Sequence, residues 1–332
     1  MARTALAGRR EAVEEGVVFR NGEAGFHTFR IPALLATRTG TLLAFAEGRR
    51  DSRGDSGNID VVLKRSSDHG RTWSALKVVV DRRADTVGNP CPVQDRVTGR
   101  ILLPLTWNPG NVTESQMVRR EVEARRGVLL THSDDDGRTW AAPSEITSVA
   151  SKPNWTWYAT GPGIGIQTRS GRLLIPCDHQ AEGSANSASH VLYSDDHGAT
   201  WRVGGEAAEG TNECQLVELG DGSLLLNMRG YRGKNRRAIA RSRDEGKSWS
   251  NVAWDETLIE PVCQASLIGH KGVFYFSNPA AMERRRMTVR VSTDGCRTWS
   301  NGRVLSAGPA AYSCLAVLDA KRLGCLYERG EQ

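Results

Sequence analysis

The sequence predicts an all-β fold: a six-bladed β-propeller of four-stranded antiparallel sheets, forming a single domain over residues 1–332. Three observations predict it. An eight-residue pattern, S-x-D-x-G-x-T-W, occurs five times, at Ser66–Trp73, Ser133–Trp140, Ser194–Trp201, Ser242–Trp249 and Ser292–Trp299. The copies start 67, 61, 48 and 50 residues apart, which suits a four-stranded blade with variable loops better than a leucine-rich or ankyrin repeat. Each copy also follows a short apolar or alternating run, the mark of a strand bounded by a turn.

Taken in chain order, an extended stretch at Val17–Phe19 comes first, and Phe29-Arg30-Ile31-Pro32 opens the first blade. Ile59–Leu63 leads into the first copy, Gly127–Leu130 into the second, Ser189–Tyr193 into the third, Ala238–Ala240 into the fourth and Met287–Val291 into the fifth. Between the first two copies, Glu114–Arg126 is polar and free of Gly and Pro, and reads as a short surface helix set into a blade loop. Gly161–Gly165 is Gly-rich but lacks the Lys-Ser/Thr of a phosphate loop, so it reads as a bend. Five copies give five blades. Strands from the two chain ends, Val17–Phe19 and Leu315–Leu318, are expected to build the sixth and close the ring.

Within a copy, each residue has a local task. The Asp carboxylate can accept from backbone N–H groups just ahead, and Gly takes a positive φ without steric cost. The Trp must bury its ring and so ties the turn to the sheet. The fourth copy has Ser248 for Thr; the fifth has Cys296 at the Gly position, with Gly295 one place earlier.

Composition narrows the rest. Forty-four Lys and Arg against 38 Asp and Glu give a formal charge of +6, but the basic residues are dispersed. That favours mild attraction for anionic substrates over nucleic acid, which is not expected as a partner. No apolar run is long enough to span a membrane, and Met1-Ala-Arg-Thr lacks the apolar core of a signal peptide. A cytoplasmic location is expected, or secretion if a leader has been removed. The seven cysteines are scattered, with no C-x-x-C pair, and read as buried free thiols without a disulfide framework or metal site. Asn111-Val-Thr and Asn154-Trp-Thr match a glycosylation pattern by accident on this reading.

Functional sites on propellers form where blades converge, so candidates should lie far apart in sequence. Arg30 sits in an apolar, Pro-stiffened strand, where a guanidinium needs an anionic partner. Arg229 follows the strand Ser223–Met228, and Arg284-Arg285-Arg286 follows Ser277-Asn278-Pro279. Three arginines from three blades would clamp a carboxylate through planar, bidentate forks.

Phe29-Arg-Ile-Pro32 followed by repeated Asp boxes resembles the exo-α-sialidase (neuraminidase) family of glycoside hydrolases. Asn89-Pro-Cys-Pro, Val112-Thr-Glu114, Trp157–Gly163 and Asn212-Glu-Cys-Gln215 are most similar to the cytosolic animal members. The resemblance covers nearly the whole chain and implies a six-bladed propeller. It implies a clamp of Arg30, Arg229 and Arg284 (with Arg285 as the alternative third member) and Glu328 holding the first arginine. It further implies Asp55 as general acid/base, Tyr312 as nucleophile and Glu213 as its partner, with Arg49, Asn89, Glu114 and Gln264 contacting substrate. Cys314 and Ala265 depart from the pattern, where many members have Asp and Gly. The implied activity is retaining hydrolysis of terminal α-linked sialic acid from glycoproteins, oligosaccharides and gangliosides, with no cofactor. A trans-sialidase, a hydrolase of deaminated sialic acid and a non-catalytic sialoglycan-binding propeller are the alternatives.

Overall fold

The structure, a computed structural model, describes residues 13–330. Every run predicted to lead into a repeat is a strand, and the strands group into antiparallel blades. Blade one holds β1 (Thr28–Ala36), β2 (Leu42–Arg49), β3 (Ile59–Ser66) and β4 (Lys77–Val80). Blade two holds β5 (Thr86–Gly88), β6 (Val93–Gln94), β7 (Ile101–Asn108), then helix α1 (Glu114–Val118), β8 (Gly127–Ser133) and β9 (Ser144–Glu145); α2 (Thr147–Ala150) leads onward. Blade three holds β10 (Trp155–Thr160), β11 (Ile166–Gln167), β12 (Leu173–Ala181), β13 (Ala188–Ser194) and β14 (Arg202–Glu206). Blade four holds β15 (Thr211–Glu218), β16 (Leu224–Gly230), β17 (Arg236–Ser242) and β18 (Ala253–Ile259). Blade five holds β19 (Ser266–His270), β20 (Val273–Pro279), β21 (Arg285–Ser292) and the start of β22 (Arg303–Val317). The later half of β22 pairs with β23 (Leu323–Arg329) as blade six.

The ring closes between β1 and β22, where the Leu34 N–H donates to Cys314 Sγ at 3.1 Å. Cys314, one of the two departures from the family pattern, thus serves the seam. The sixth blade is simpler than expected: among the described residues it has two strands, and Val17–Phe19 forms none. That stretch packs instead. Val18 and Phe19 lie against the Leu34, Leu42 and Cys314 cluster, and Lys64 Nζ donates to the Val18 carbonyl at 2.8 Å.

Each repeat is the turn between the last two strands of its blade. In the first copy, Asp68 Oδ1 accepts from Thr72 N–H at 2.9 Å and its Oδ2 from the Thr72 hydroxyl at 2.6 Å, while Ser66 Oγ accepts from Gly70 N–H at 2.8 Å. The other four copies repeat this set. These donors hold the carboxyls below their ordinary range; Thr200 and Ser194 bring Asp196 down to about 2. The turn needs two consecutive left-handed residues, as at Asp136 (φ 62°) and Gly137 (φ 78°). In the fifth copy the order is reversed: Gly295 takes the first position and Cys296 the second, at φ 61°.

The repeat tryptophans fill the seams between blades. Trp140 meets the preceding blade's Phe45 edge-on at 5.7 Å. Trp73, Trp201, Trp249 and Trp299 likewise join clusters drawn from their own and the preceding blade. Five tryptophans thus serve five of six seams. The last seam, between blades five and six, is crossed by the shared strand β22.

The polar stretch Glu114–Arg126 is helical only at its start. Thr113 and Gln116 form a reciprocal capping box, and the helix stops at Arg119, with Arg120 left-handed at φ 57°. The helix ends because Met117, Val122 and Ala124 must turn inward onto Trp157. Arg126, at the far end, is buried rather than on the surface.

Candidate active site

The repeats lie at one end of the strands. The predicted site residues lie at the other, where inner strands begin and second strands end. Thr28 of β1 pairs with Arg49 of β2 at this end, and Thr211 of β15 with Gly230 of β16. Segments from several blades therefore deliver side chains to one face of the ring.

The inner strand β1 breaks register between Arg30 and Ala33, with Ile31 at φ 58°. A β-branched residue in the left-handed region is strained, and Glu328 holds it there. Glu328 Oε1 accepts from Ile31 N–H at 2.8 Å, and Oε2 accepts from Tyr312 N–H at 3.3 Å. The same carboxylate meets Arg30, whose Nη2 donates to Oε2 at 3.3 Å. Burial pulls the Arg30 pKa down, but Glu328, Tyr312 and Asp55 together raise it above its ordinary value.

The centre of the site is a triad of contacts. The Tyr312 hydroxyl donates to Glu213 Oε1 at 2.6 Å, and Arg229 Nη1 donates to Glu213 Oε2 at 2.7 Å and to the Tyr312 oxygen at 3.2 Å. Burial, then the Glu213 charge, pushes the phenol well above its ordinary pKa, against Arg229 and Arg30. Arg30 and Arg284 flank the Tyr312 ring, with Cζ 5.3 and 5.8 Å from its centroid. Arg284, rather than the exposed Arg285, faces the tyrosine. Arg284 Nη2 donates to the Val262 carbonyl at 3.2 Å, and among the described residues its charge meets no carboxylate at ion-pair distance.

Asp55 projects from the β2–β3 loop with 77% of its side chain exposed; its Oδ1 lies 2.8 Å from Arg49 Nη1 and 3.4 Å from Arg30 Nη1. Arg49 is itself buried and paired with Glu47 Oε2 at 2.7 Å. The other Glu47 oxygen accepts from Asn89 N–H at 3.0 Å, and Asn89 Oδ1 accepts from the Thr106 hydroxyl at 3.0 Å. Glu47 therefore links Arg49 to Asn89. It fits because β5 carries Gly88 against it, where a Cβ would collide with the carboxylate. Glu114 begins α1. Desolvation raises its pKa, and Arg126 opposes the rise.

Gln264 stands apart from the others. Its amide is engaged by the backbone, donating to the Pro162 and Ser313 carbonyls at 3.0 Å each and accepting from Ser313 N–H at 2.9 Å. This braces blades three, five and six from beneath.

Several residues at the site were not singled out from the sequence. Glu47 had a signal: two residues from Arg49 on β2, it shares that residue's face. Tyr231 places its ring 4.9 Å from Arg229 Cζ and remains 45% exposed. Asp178 is wholly buried and accepts from Asn212 Nδ2 at 2.8 Å. Burial raises its pKa far above the carboxylate range. Arg126 stacks on Trp157. Among the described residues, no group of three His, Cys, Asp or Glu is placed to hold a metal ion, and no helix is long and apolar enough to cross a membrane.

A buried tyrosine paired with a carboxylate, three arginines around it and an exposed acid at the mouth can hold an anionic ligand beside a phenol oxygen. Comparison with known proteins points the same way. The model of the BNR repeat-like domain matches residues 40–325. A sialidase of Bacteroides fragilis is 32% identical over 95% of this chain, which spans 64% of that protein. An exo-alpha-sialidase of Aspergillus fumigatus is 33% identical over 92% of this chain and 79% of that protein. Among solved structures, the Hadza microbial sialidase Hz136 superposes with a TM-score of 0.86 at 34% identity, covering 92% of this chain and 64% of the other.

Proposed function

The chain belongs to the sialidase family of BNR-repeat proteins, and from that premise we propose that it is a retaining exo-α-sialidase, releasing terminal α-linked sialic acid from glycoconjugates through a tyrosyl-sialoside intermediate. The observation that carries this is the 2.6 Å bond from the Tyr312 hydroxyl to Glu213, with Arg229 Nη1 donating to both residues.

Sialic acid carries a carboxylate on its anomeric carbon. Arg30, Arg229 and Arg284 receive it, and among the described residues no carboxylate lies at ion-pair distance from Arg284. A carboxylate nucleophile would be repelled by this anion; a neutral tyrosine is not, which is the sialidase departure from the two-carboxylate scheme of other glycosidases. The phenol has an ordinary pKa of about 10, and its burial raises it further. It therefore does not stand ready as a phenolate, and Glu213 takes its proton as the bond to carbon forms. Arg229, bonded through Nη1 to the Tyr312 oxygen and to the other oxygen of Glu213, stabilises the charge that passes between the two residues. Asp55 protonates the departing glycosidic oxygen, then deprotonates the water that cleaves the intermediate. Its exposure suits both tasks, since aglycone and water arrive from solvent. Two attacks from opposite faces retain the α configuration.

Turnover of a fluorogenic α-sialoside by the wild type and by Tyr312→Phe tests the reading. Turnover is expected for the wild type and a loss of about 10³-fold or more in kcat for the variant, whose ring has no nucleophilic oxygen. No turnover by the wild type at any pH would refute the enzyme reading, and full activity of the variant would refute the role of Tyr312.

A further inference from the structure

The base of the proposed reaction is carried by a stretch that its own blade does not fix. The β15–β16 ladder breaks register between Thr211 and Cys214, so Asn212 and Glu213 stand outside it. Blade three holds them instead. Asn212 Nδ2 donates to Asp178 Oδ2 at 2.8 Å, and the Asn212 carbonyl accepts from the Ser189 hydroxyl. On either side, the Thr211 hydroxyl oxygen accepts from Ser189 N–H at 2.9 Å, and Cys214 N–H donates to the Gly161 carbonyl at 3.3 Å. Asp178 of β12 and Ser189 of β13 are paired directly in their ladder. Where these two strands stand therefore sets where Glu213 stands, 2.6 Å from the Tyr312 hydroxyl.

The opposite face of the same strands carries two buried histidines. Side chains alternate along a strand, so His179, next to Asp178, and His190, next to Ser189, point away from Asn212. His179 Nδ1 lies 3.0 Å from His190 Nδ1, and the His179 ring stacks on Trp155 at 3.6 Å. His179 Nε2 lies 3.3 Å from Glu206 Oε2. A carboxylate only accepts, so this nitrogen carries a hydrogen, and in the neutral ring Nδ1 is then bare. The hydrogen between the rings belongs to His190, which leaves His190 Nε2 bare as well. That atom is buried and has no partner among the described residues. The pair thus fits one protonation state. A further proton would set two Nδ1–H groups face to face, or leave an N–H at His190 Nε2 without an acceptor. The charged and titratable groups around the pair are Glu206 of β14, Lys152 from the turn after α2, Tyr158 of β10 with its partner Cys177, and the Cys91 thiol in the seam with blade two. Burial lowers the pKa of both rings, that of His179 to about 4 despite Glu206.

We propose that His179 and His190 are positioning residues for Glu213, and that they serve only while one hydrogen is shared between their Nδ1 atoms. The proposal rests on the sialidase reading of the site. Its test follows kcat and KM for a fluorogenic α-sialoside against pH in the wild type, His190→Phe and His190→Asn, with folding checked by circular dichroism at each pH. His190→Phe keeps a ring and removes the donor, and should lower kcat at neutral pH by about tenfold or more with little change in KM. His190→Asn places an amide N–H where Nδ1–H stood, and should recover most of that loss. Its amide can also turn to present oxygen to a protonated His179. It should therefore keep a larger share of its neutral-pH kcat than the wild type as pH falls through about 4. Should His190→Phe fail to fold, His179→Gln, which can reach Glu206 but offers nothing at the Nδ1 position, should show the same loss in kcat. Folded variants that are less stable yet keep the wild-type kcat and pH profile would overturn the proposal and leave the sialidase reading intact. So would equal losses in His190→Phe and His190→Asn. No turnover by the wild type would overturn both.

Discussion

Glu328→Gln isolates the part of the site that holds Arg30. The substitution keeps volume and one oxygen. That oxygen can still accept from Ile31 N–H, now 2.8 Å from Oε1. The amide nitrogen then takes the place of Oε2, which in the native chain accepts from Arg30 Nη2 and from Tyr312 N–H, each at 3.3 Å. Both contacts become donor against donor. A hydrogen bond to a charged group contributes about 1.5–3 kcal/mol, and the pair is largely buried, with Arg30 16% and Glu328 9% exposed. Breaking one buried partner of such a pair costs ~3–5 kcal/mol, but Arg30 retains Asp55 at 3.4 Å. The expected loss of stability is therefore about 3 kcal/mol, read as a lower urea midpoint at constant m-value by tryptophan fluorescence. KM for an α-sialoside should rise by about tenfold or more, because the loosened Arg30 belongs to the clamp. A stability change below about 0.5 kcal/mol with unaltered KM would refute the claim that Glu328 holds both the strained Ile31 bulge and the arginine.

Three further outcomes follow from named groups. Asp196→Ala should cost on the order of 1 kcal/mol at pH 7 and leave kcat unchanged, since the repeats lie at the end of the strands away from the site. The native carboxyl, held down to about 2 by Thr200 and Ser194, stabilises the fold above its unfolded pKa of about 3.9 and loses that effect as pH falls toward 2; a variant with the same acid dependence as the wild type would count against this. His179 is buried against Trp155, and burial lowers its pKa to about 4 despite Glu206. The unfolded chain therefore binds the proton first, and stability should fall by up to about 3 kcal/mol between pH 6.5 and 4; urea unfolding that is flat across that window would disprove it. Arg237 is wholly buried, with Nη1 2.6 Å from Glu260 Oε2, and Glu260 Oε1 accepts from Gly230 N–H at 2.8 Å beside Arg229. Arg237→Met should cost about 3–5 kcal/mol, and a Tm within 1–2 °C of wild type would contradict it.

What could be read from the sequence follows the range of the forces involved. The repeat turns were legible because Ser66, Asp68, Gly70 and Thr72 satisfy one another within a few residues, and the tryptophan at fixed offset marks where each blade meets its neighbour. The polar stretch at Glu114–Arg126 was legible only in part. Its capping box is local, but its early end is set by Met117 and Val122 packing on Trp157, some forty residues away in the chain. The sixth blade differs for a similar reason. Nothing in Val17–Phe19 reveals that its partners are side chains of blade one and Cys314 rather than a strand. Arg30 stood out from its apolar, Pro-stiffened strand, whereas Glu213 and Tyr312 were found through the family pattern, and spacing alone would not have joined the three. Arg126 and Asp178 escaped notice because one sits in an arginine-rich run and the other in an ordinary strand. Only their burial without full pairing sets them apart.

The central claim is that Tyr312 forms a covalent sialoside which water then opens from the opposite face. Proton NMR of the sugar released in the first minutes from an α-sialoside tests it directly. The α anomer of free sialic acid is expected to appear first and to convert to β by mutarotation. First release of the β anomer would mean a single displacement by water, and would contradict the assignment of Tyr312 as nucleophile and Glu213 as its base.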